Sequence, residues 1–249
     1  MVTSHLRGAR SVLTERARRL RVTFGLTLLV VTLVAALAAW GFGALAEEVL
    51  EGATQAFDDA VLGWIAVRQN PTLSTVMLQI TTLGDAVVLS MITAVSALLL
   101  WLTRHRYSAL LLIAALAGGA ALTFALKMGF GRTRPDAFAW GQEVLTLSFP
   151  SGHASLSTVT YGMIAFIAAK LDARRWVRAI AMTGAALVVL AICTSRLFLG
   201  VHYPSDIAAG ILLGVAWSAF CMVMLETVQR RIARQVPEEA DVEEVHGEG

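Results

Sequence analysis

Three segments of this 249-residue chain gather side chains that could handle a phosphate: Lys127 with Arg134, the run Pro150-Ser151-Gly152-His153, and Ser195-Arg196 with His202 and Asp206 downstream. Guanidinium groups grip phosphoryl oxygens with two parallel hydrogen bonds, and a helix start offers free N–H groups and partial positive charge to an anion. Lys127, Arg134 and Arg196, with a helix opening at Ser151 and Gly152, therefore suit a phosphate cradle. His202 stands four positions before Asp206. If the segment turns helically, the carboxylate can hold one ring nitrogen and leave the other as a nucleophile. His153, at the mouth of the anion-binding helix, is then the candidate acid for the departing group. Each residue also has a plainer reading. A cation at a span end anchors by snorkelling, Ser151 caps a helix, Asp206 is a favourable first-turn acid, and a lone interfacial histidine is structural. Two histidines, an acid, a serine and several cations at one depth are costly to carry for anchoring alone.

The elements that position these residues are membrane helices. Hydrophobic residues make up 57% of the chain and charged ones 15%, against roughly 45–50% and 25% in soluble domains. Charge-free windows at 22–46, 86–103, 107–126, 154–169, 179–195 and 207–225 predict an all-α, polytopic bundle with six transmembrane helices. An apolar stretch at 69–84, opening with Gln-Asn-Pro, predicts a further helix outside the membrane. Arg7, Arg10, Arg16, Arg18, Arg19, Arg21, Arg104, Arg106, Lys170, Arg174, Arg175, Arg178, Arg230, Arg231 and Arg234 all fall on one face. Positively charged flanks stay cytoplasmic, so both termini are expected inside. The other face keeps Arg68, Lys127, Arg132, Arg134 and Arg196, and four of these cluster at the ends of the third and fifth spans. The expected organisation is an arginine-rich cytoplasmic segment at 1–21, a membrane domain at 22–229, and a disordered acidic cytoplasmic tail at 230–249. A net charge of only +2 gives no reason to expect a nucleic acid partner, and Cys193 and Cys221, both in apolar runs, suggest neither a disulfide nor a thiolate metal site.

Lys127, six residues, Arg134-Pro135, then Pro150-Ser151-Gly152-His153, then Ser195-Arg196, five residues, His202, three residues and Asp206 resembles the three-part signature of the type 2 phosphatidic acid phosphatase superfamily. The resemblance extends over about residues 60 to 225, because Asp58, Trp64 and the stretch 80–84 are also similar to bacterial members. It implies a lipid phosphatase without metal or other cofactor. His202 would form a phosphohistidine, Asp206 would activate it, and His153 would protonate the leaving group. Lys127, Arg134, Ser151, Gly152 and Arg196 would bind phosphate. Arg132 lies outside the signature and receives no role. The location implied is a bacterial cytoplasmic membrane, with the site on the outer face among membrane lipids. Undecaprenyl diphosphate is the favoured substrate because it is produced on that leaflet; phosphatidylglycerophosphate and phosphatidic acid are the alternatives. A non-catalytic lipid-binding or lipid-moving protein would not need a nucleophile and an acid, and vanadium haloperoxidases, which share the pocket, are soluble. Phe138, Trp140 and Phe149 are expected either to line a lipid entrance or to form an ordinary aromatic belt. Glu47, Glu48, Glu51, Asp58 and Asp59 are expected as a solvated acidic face rather than a metal site.

The cation distribution generates a direct test. A cysteine replacing Gln142 should react with a membrane-impermeant thiol reagent in intact cells, and one replacing Arg174 only after lysis. Labelling of both from outside would overturn the orientation.

Overall fold

The computed structural model describes the backbone of residues 2–135, 146–172 and 174–246, and side chains within 25–228 of that span except Thr27. Among the described residues it contains eight helices and no strand: α1 (Val2–Leu50), α2 (Gln55–Ala66), α3 (Pro71–Thr82), α4 (Ala86–Leu102), α5 (Arg106–Phe130), α6 (Gly152–Leu171), α7 (Arg175–Phe198) and α8 (Pro204–His246). Phe138, Trp140 and Gln142 lie outside the described residues.

Five helical stretches are long and apolar enough to cross a membrane: Leu28–Leu50, α5, α6, α7 and Pro204–Val228. The pair α3 and α4, bent by 43° at a three-residue break, qualifies together as a sixth. A helix is thus present within 69–84, but where one outside the membrane is expected, α3 qualifies with α4 as one bent span; it packs against α7. Asn70 starts it by accepting the Leu73 N–H at 2.9 Å, with Pro71 at the first helical position, where a missing donor costs nothing. Helix α8 extends through His246, into the segment where a disordered acidic end is expected; alanine and glutamate in that stretch are strong helix formers.

Helices α6 and α8 form the centre. Leu112 and Ala115 of α5, Val159, Met163 and Ile167 of α6, and Cys221 of α8 make one buried cluster. A second joins Ala154, Val189, Cys193 and Ile207. Around them Trp40, Leu98, Leu99, Phe124, Ile180, Leu187 and Leu190 are exposed, as lipid-facing side chains must be. A third cluster corrects one expectation. Phe149 neither lines an entrance nor joins an aromatic belt, because it is fully buried against Ala46 and Ala209, with Phe42 and Phe130 at ring-centroid distances of 5.9 and 4.8 Å. Its position just before the cap of α6 wedges the start of that helix against α1, α5 and α8.

Close contact between α6 and α8 depends on Gly210. A Cβ there would lie 2.7 Å from the Ser151 carbonyl oxygen and 2.8 Å from the Ala154 Cβ, with backbone on one side and a core residue on the other. A Gly210→Val protein should therefore lose about 1–3 kcal/mol through overpacking, read as a lower Tm in detergent. Gly184→Ala, on an open face of α7, should leave Tm unchanged or slightly raised. Equal Tm values for Gly210→Val and the parent would contradict this packing.

Candidate active site

The N-termini of α6 and α8 meet at one end of the bundle, where the Ser151 N–H donates to the Asp206 carbonyl at 3.0 Å. Ser151 caps α6 by accepting the Ala154 N–H at 3.4 Å. The first N–H groups of a helix have no partner within it, so this end presents donors and positive potential to the same space. Asp206 sits in the first turn of α8, and its Oδ2 accepts the Tyr203 N–H at 2.9 Å. That oxygen is also 3.3 Å from Nδ1 of His202. The two side chains do face each other as their spacing suggests, but His202 lies in the turn ahead of the helix rather than on it.

Nε2 of His202 stands 3.1 Å from Nη1 of Arg134. A guanidinium only donates, so Nε2 must be the acceptor, and the proton of the neutral ring belongs on Nδ1, facing the carboxylate. Burial pushes the His202 pKa well below its ordinary value, and the charges of Arg134, Arg196 and Lys127 push the same way. The buried ring is thus held neutral, with its Nε2 lone pair aimed at a cation.

Three cations act on that ring, Arg134 by contact and Lys127 and Arg196 through their charge. Arg134 also donates from Nε to the Thr146 carbonyl at 2.6 Å and from Nη2 to the Thr146 hydroxyl at 2.9 Å. Lys127 Nζ donates to the carbonyls of Leu147 and Ser148. Arg196, 3% exposed, donates from Nη1 to the Thr81 hydroxyl at 2.9 Å, while its buried Nε has no partner among the described residues. A buried guanidinium N–H in that position is suited to the oxygen of an anion. Gly152 starts α6 beside Lys127, so all five expected phosphate-binding residues, Lys127, Arg134, Ser151, Gly152 and Arg196, border one region.

His153 faces the same region from α6, its Nε2 2.9 Å from Oδ1 of Asp85. Asp85 belongs to the break between α3 and α4, and sequence reasoning gave it no role. The neighbouring Gly84 permits the approach, since a Cβ there would lie 2.8 Å from His153 Cδ2. A Gly-Asp break before an apolar helix was the available signal, but an acid at that position reads first as a helix cap, and it makes no side-chain cap bond here. A second finding corrects the acidic face. Glu47, Glu48, Glu51 and Asp59 are not buried, whereas Asp58 is fully buried against Arg132 and Ser205. Among the described residues no three His, Cys, Asp or Glu side chains converge as a metal site.

Fold and site together define a polytopic helical membrane phosphatase. The chain carries a PAP2 superfamily domain, with residues 108–230 matching that family. It is 29% identical over 172 residues to a phosphatidylglycerophosphatase B of Bacillus subtilis, spanning 69% of this chain and 84% of that one. It is 36% identical over 80 residues to an undecaprenyl-diphosphatase of Sulfolobus acidocaldarius, 32% of this chain and 34% of that one. The crystal structure of a transmembrane PAP2-type phosphatidylglycerolphosphate phosphatase from Bacillus subtilis superposes with a TM-score of 0.73 at 26% identity, covering 78% of this chain and 96% of that one.

The depressed pKa of His202 has a defined sign. Below its ordinary value of about 6.5 an unfolded chain takes up a proton that the folded protein refuses. His202 therefore subtracts stability as pH falls through that value and contributes no change above it. Nitrogen NMR of ring-labelled protein, with the His202 signal assigned by comparison with His202→Ala, should show a neutral Nδ1–H ring still present at pH 6. Titration with a midpoint near 6.5 would contradict the geometry.

Proposed function

We propose that this protein is a lipid phosphatase that removes phosphate from a lipid phosphomonoester or diphosphate through a phosphohistidine. The observation that carries the reading is the His202 ring, fixed by Asp206 with its Nε2 lone pair turned to Arg134 and under the positive charge of Lys127 and Arg196 as well. In the first step Nε2 attacks phosphorus and the bond to the leaving oxygen breaks. His153 gives that oxygen a proton, and Asp206 offsets the charge developing on His202. In the second step water, losing its proton to His153, attacks the phosphohistidine, and inorganic phosphate departs. Arg134, now on Nε2, transfers its hydrogen bond to a phosphoryl oxygen as the substrate enters. Lys127, Arg196 and the start of α6 at Ser151 and Gly152 hold the remaining oxygens, a preorganised positive field that suits the charge of the transition state.

The outer face of the membrane, with both termini in the cytoplasm, is supported by the cation distribution along the sequence. That placement favours undecaprenyl diphosphate as substrate. Phosphatidylglycerophosphate is the second reading, supported by the relative named phosphatidylglycerophosphatase B, which aligns over most of its length. Phosphatidic acid completes the panel.

Phosphate release from the three lipids in detergent tests the proposal, and the preferred substrate is the one with the highest kcat/KM. Activity should survive EDTA, since the cations supply the charge that a divalent ion provides elsewhere, and vanadate should inhibit. Loss on chelation with recovery on added magnesium would overturn metal independence. Proton donation by a placed side chain is worth about 100- to 10,000-fold, and it matters most for a basic leaving group. His153→Ala should therefore damage phosphatidic acid hydrolysis, which expels an alkoxide, more than undecaprenyl diphosphate hydrolysis, which expels a phosphate. Equal losses on both would remove His153 as the leaving-group acid.

A further inference from the structure

Arg132 is the cation without a role, and its surroundings differ from those of its neighbours. Nη1 donates to the Ser205 hydroxyl at 2.7 Å and to Oδ1 of Asp206 at 2.8 Å. Nη2 donates to Oδ2 of Asp58 at 2.8 Å and to Oε1 of Gln55 at 3.3 Å. The Tyr203 ring covers the guanidinium at 4.1 Å. Four of the five donors of an arginine are thus turned toward α2 and the start of α8, whereas Arg134 reaches His202 and Arg196 keeps an open Nε. Asp58 is equally committed. Its Oδ1 accepts the Ser205 N–H at 3.0 Å, and its Oδ2 accepts the Ser205 hydroxyl at 2.5 Å as well as Arg132.

Asp206 consequently has both carboxylate oxygens occupied from opposite sides. Arg132 holds Oδ1, while Tyr203 N–H and His202 Nδ1 hold Oδ2. Asp58 and Asp206 are both fully buried, and a buried carboxylate is costly unless a cation and hydrogen bonds satisfy it. Arg132 serves the two at once, so moving it disturbs both.

We propose that Arg132 and Asp58 are positioning residues for the reaction. Asp58 anchors Arg132, and Arg132 fixes the Asp206 carboxylate in the orientation that presents Oδ2 to His202. This inference rests on the reading of His202 as nucleophile. Neither residue touches the phosphate. The consequence is that α2, outside the segment matched to the family, sets the geometry of the attacking nitrogen through a carboxylate–guanidinium–carboxylate chain.

The test uses full-length protein in detergent, phosphatidic acid as the substrate probe and vanadate as the phosphate analogue. Arg132→Gln should lower kcat about 10- to 100-fold, the size of loss known for removing groups that orient the side chains at a metal site. KM and vanadate inhibition should stay unchanged, because no phosphate contact is lost. Arg132→Lys should recover part of kcat, since it keeps the charge but cannot bridge both acids. Asp58→Asn, which keeps the shape beside Ser205, should show the same kcat-only loss in milder form and stands in if Arg132→Gln fails to fold. A raised KM with weakened vanadate inhibition and unchanged kcat would make Arg132 a phosphate ligand and overturn the proposal, as would unaltered kinetics. Nitrogen NMR of His202 supplies a readout independent of turnover. In Arg132→Gln, or in Asp58→Asn if that variant stands in, the ring should no longer be held wholly as the Nδ1–H tautomer. If the parent protein releases no phosphate from any of the lipids, the phosphatase reading fails. The NMR comparison still decides the clamp, because an unchanged tautomer overturns it.

Discussion

A single buried carboxylate, Asp206, organises this end of the molecule. It accepts from Arg132, from the Tyr203 N–H and from His202, and its backbone carbonyl accepts from Ser151. A carboxylate removed from water loses several kcal/mol of solvation unless it is paired and hydrogen-bonded. The groups that meet this demand come from the segment after α5 and the turn before α8, while the backbone carbonyl of the same residue ties down the start of α6. One residue therefore brings together His202, the start of α6 and, through Arg132, α2.

The opposite wall of the site obeys a complementary constraint. Lys127, Arg134 and Arg196 bring like charges close together, and in the structure they rest on the Thr81 hydroxyl, on Thr146 and on the carbonyls of Leu147 and Ser148. Neutral oxygens of this kind are weaker partners than phosphoryl oxygens, whose charge strengthens each bond. Under the proposed function, an entering phosphate would exchange the weaker set for the stronger, and the exchange would free Nε2 of His202 from Arg134. The break between α3 and α4 contributes at the edge, because Gly84 lets His153 approach closely and Asp85 grips its ring.

Much of this was legible in the sequence because membrane helices and residues one helical turn apart both leave local marks. Long charge-free windows marked the spans, since ionised groups are expelled from the bilayer centre, and the bend at Leu83-Gly84-Asp85 fell where those windows nearly met. The spacing of His202 and Asp206 across one turn carried their pairing. What stayed hidden were contacts between distant positions. Asp58 meets Arg132 from 74 residues away and Asp85 meets His153 from 68, and neither acid differs in type or neighbourhood from a solvated one. Phe149 was hidden for the same reason, because an aromatic near a span end looks alike whether it faces lipid or is wedged against Phe42 and Phe130.

The central claim is that Nε2 of His202 bonds to phosphorus, and trapping the phosphoenzyme tests it most directly. Protein mixed with phosphatidic acid labelled in its phosphate, stopped within the first turnover in alkaline detergent and digested, should carry acid-labile, alkali-stable label on the peptide containing His202. His202→Ala should carry none. Label on a different residue, or label that persists in His202→Ala, would contradict the account.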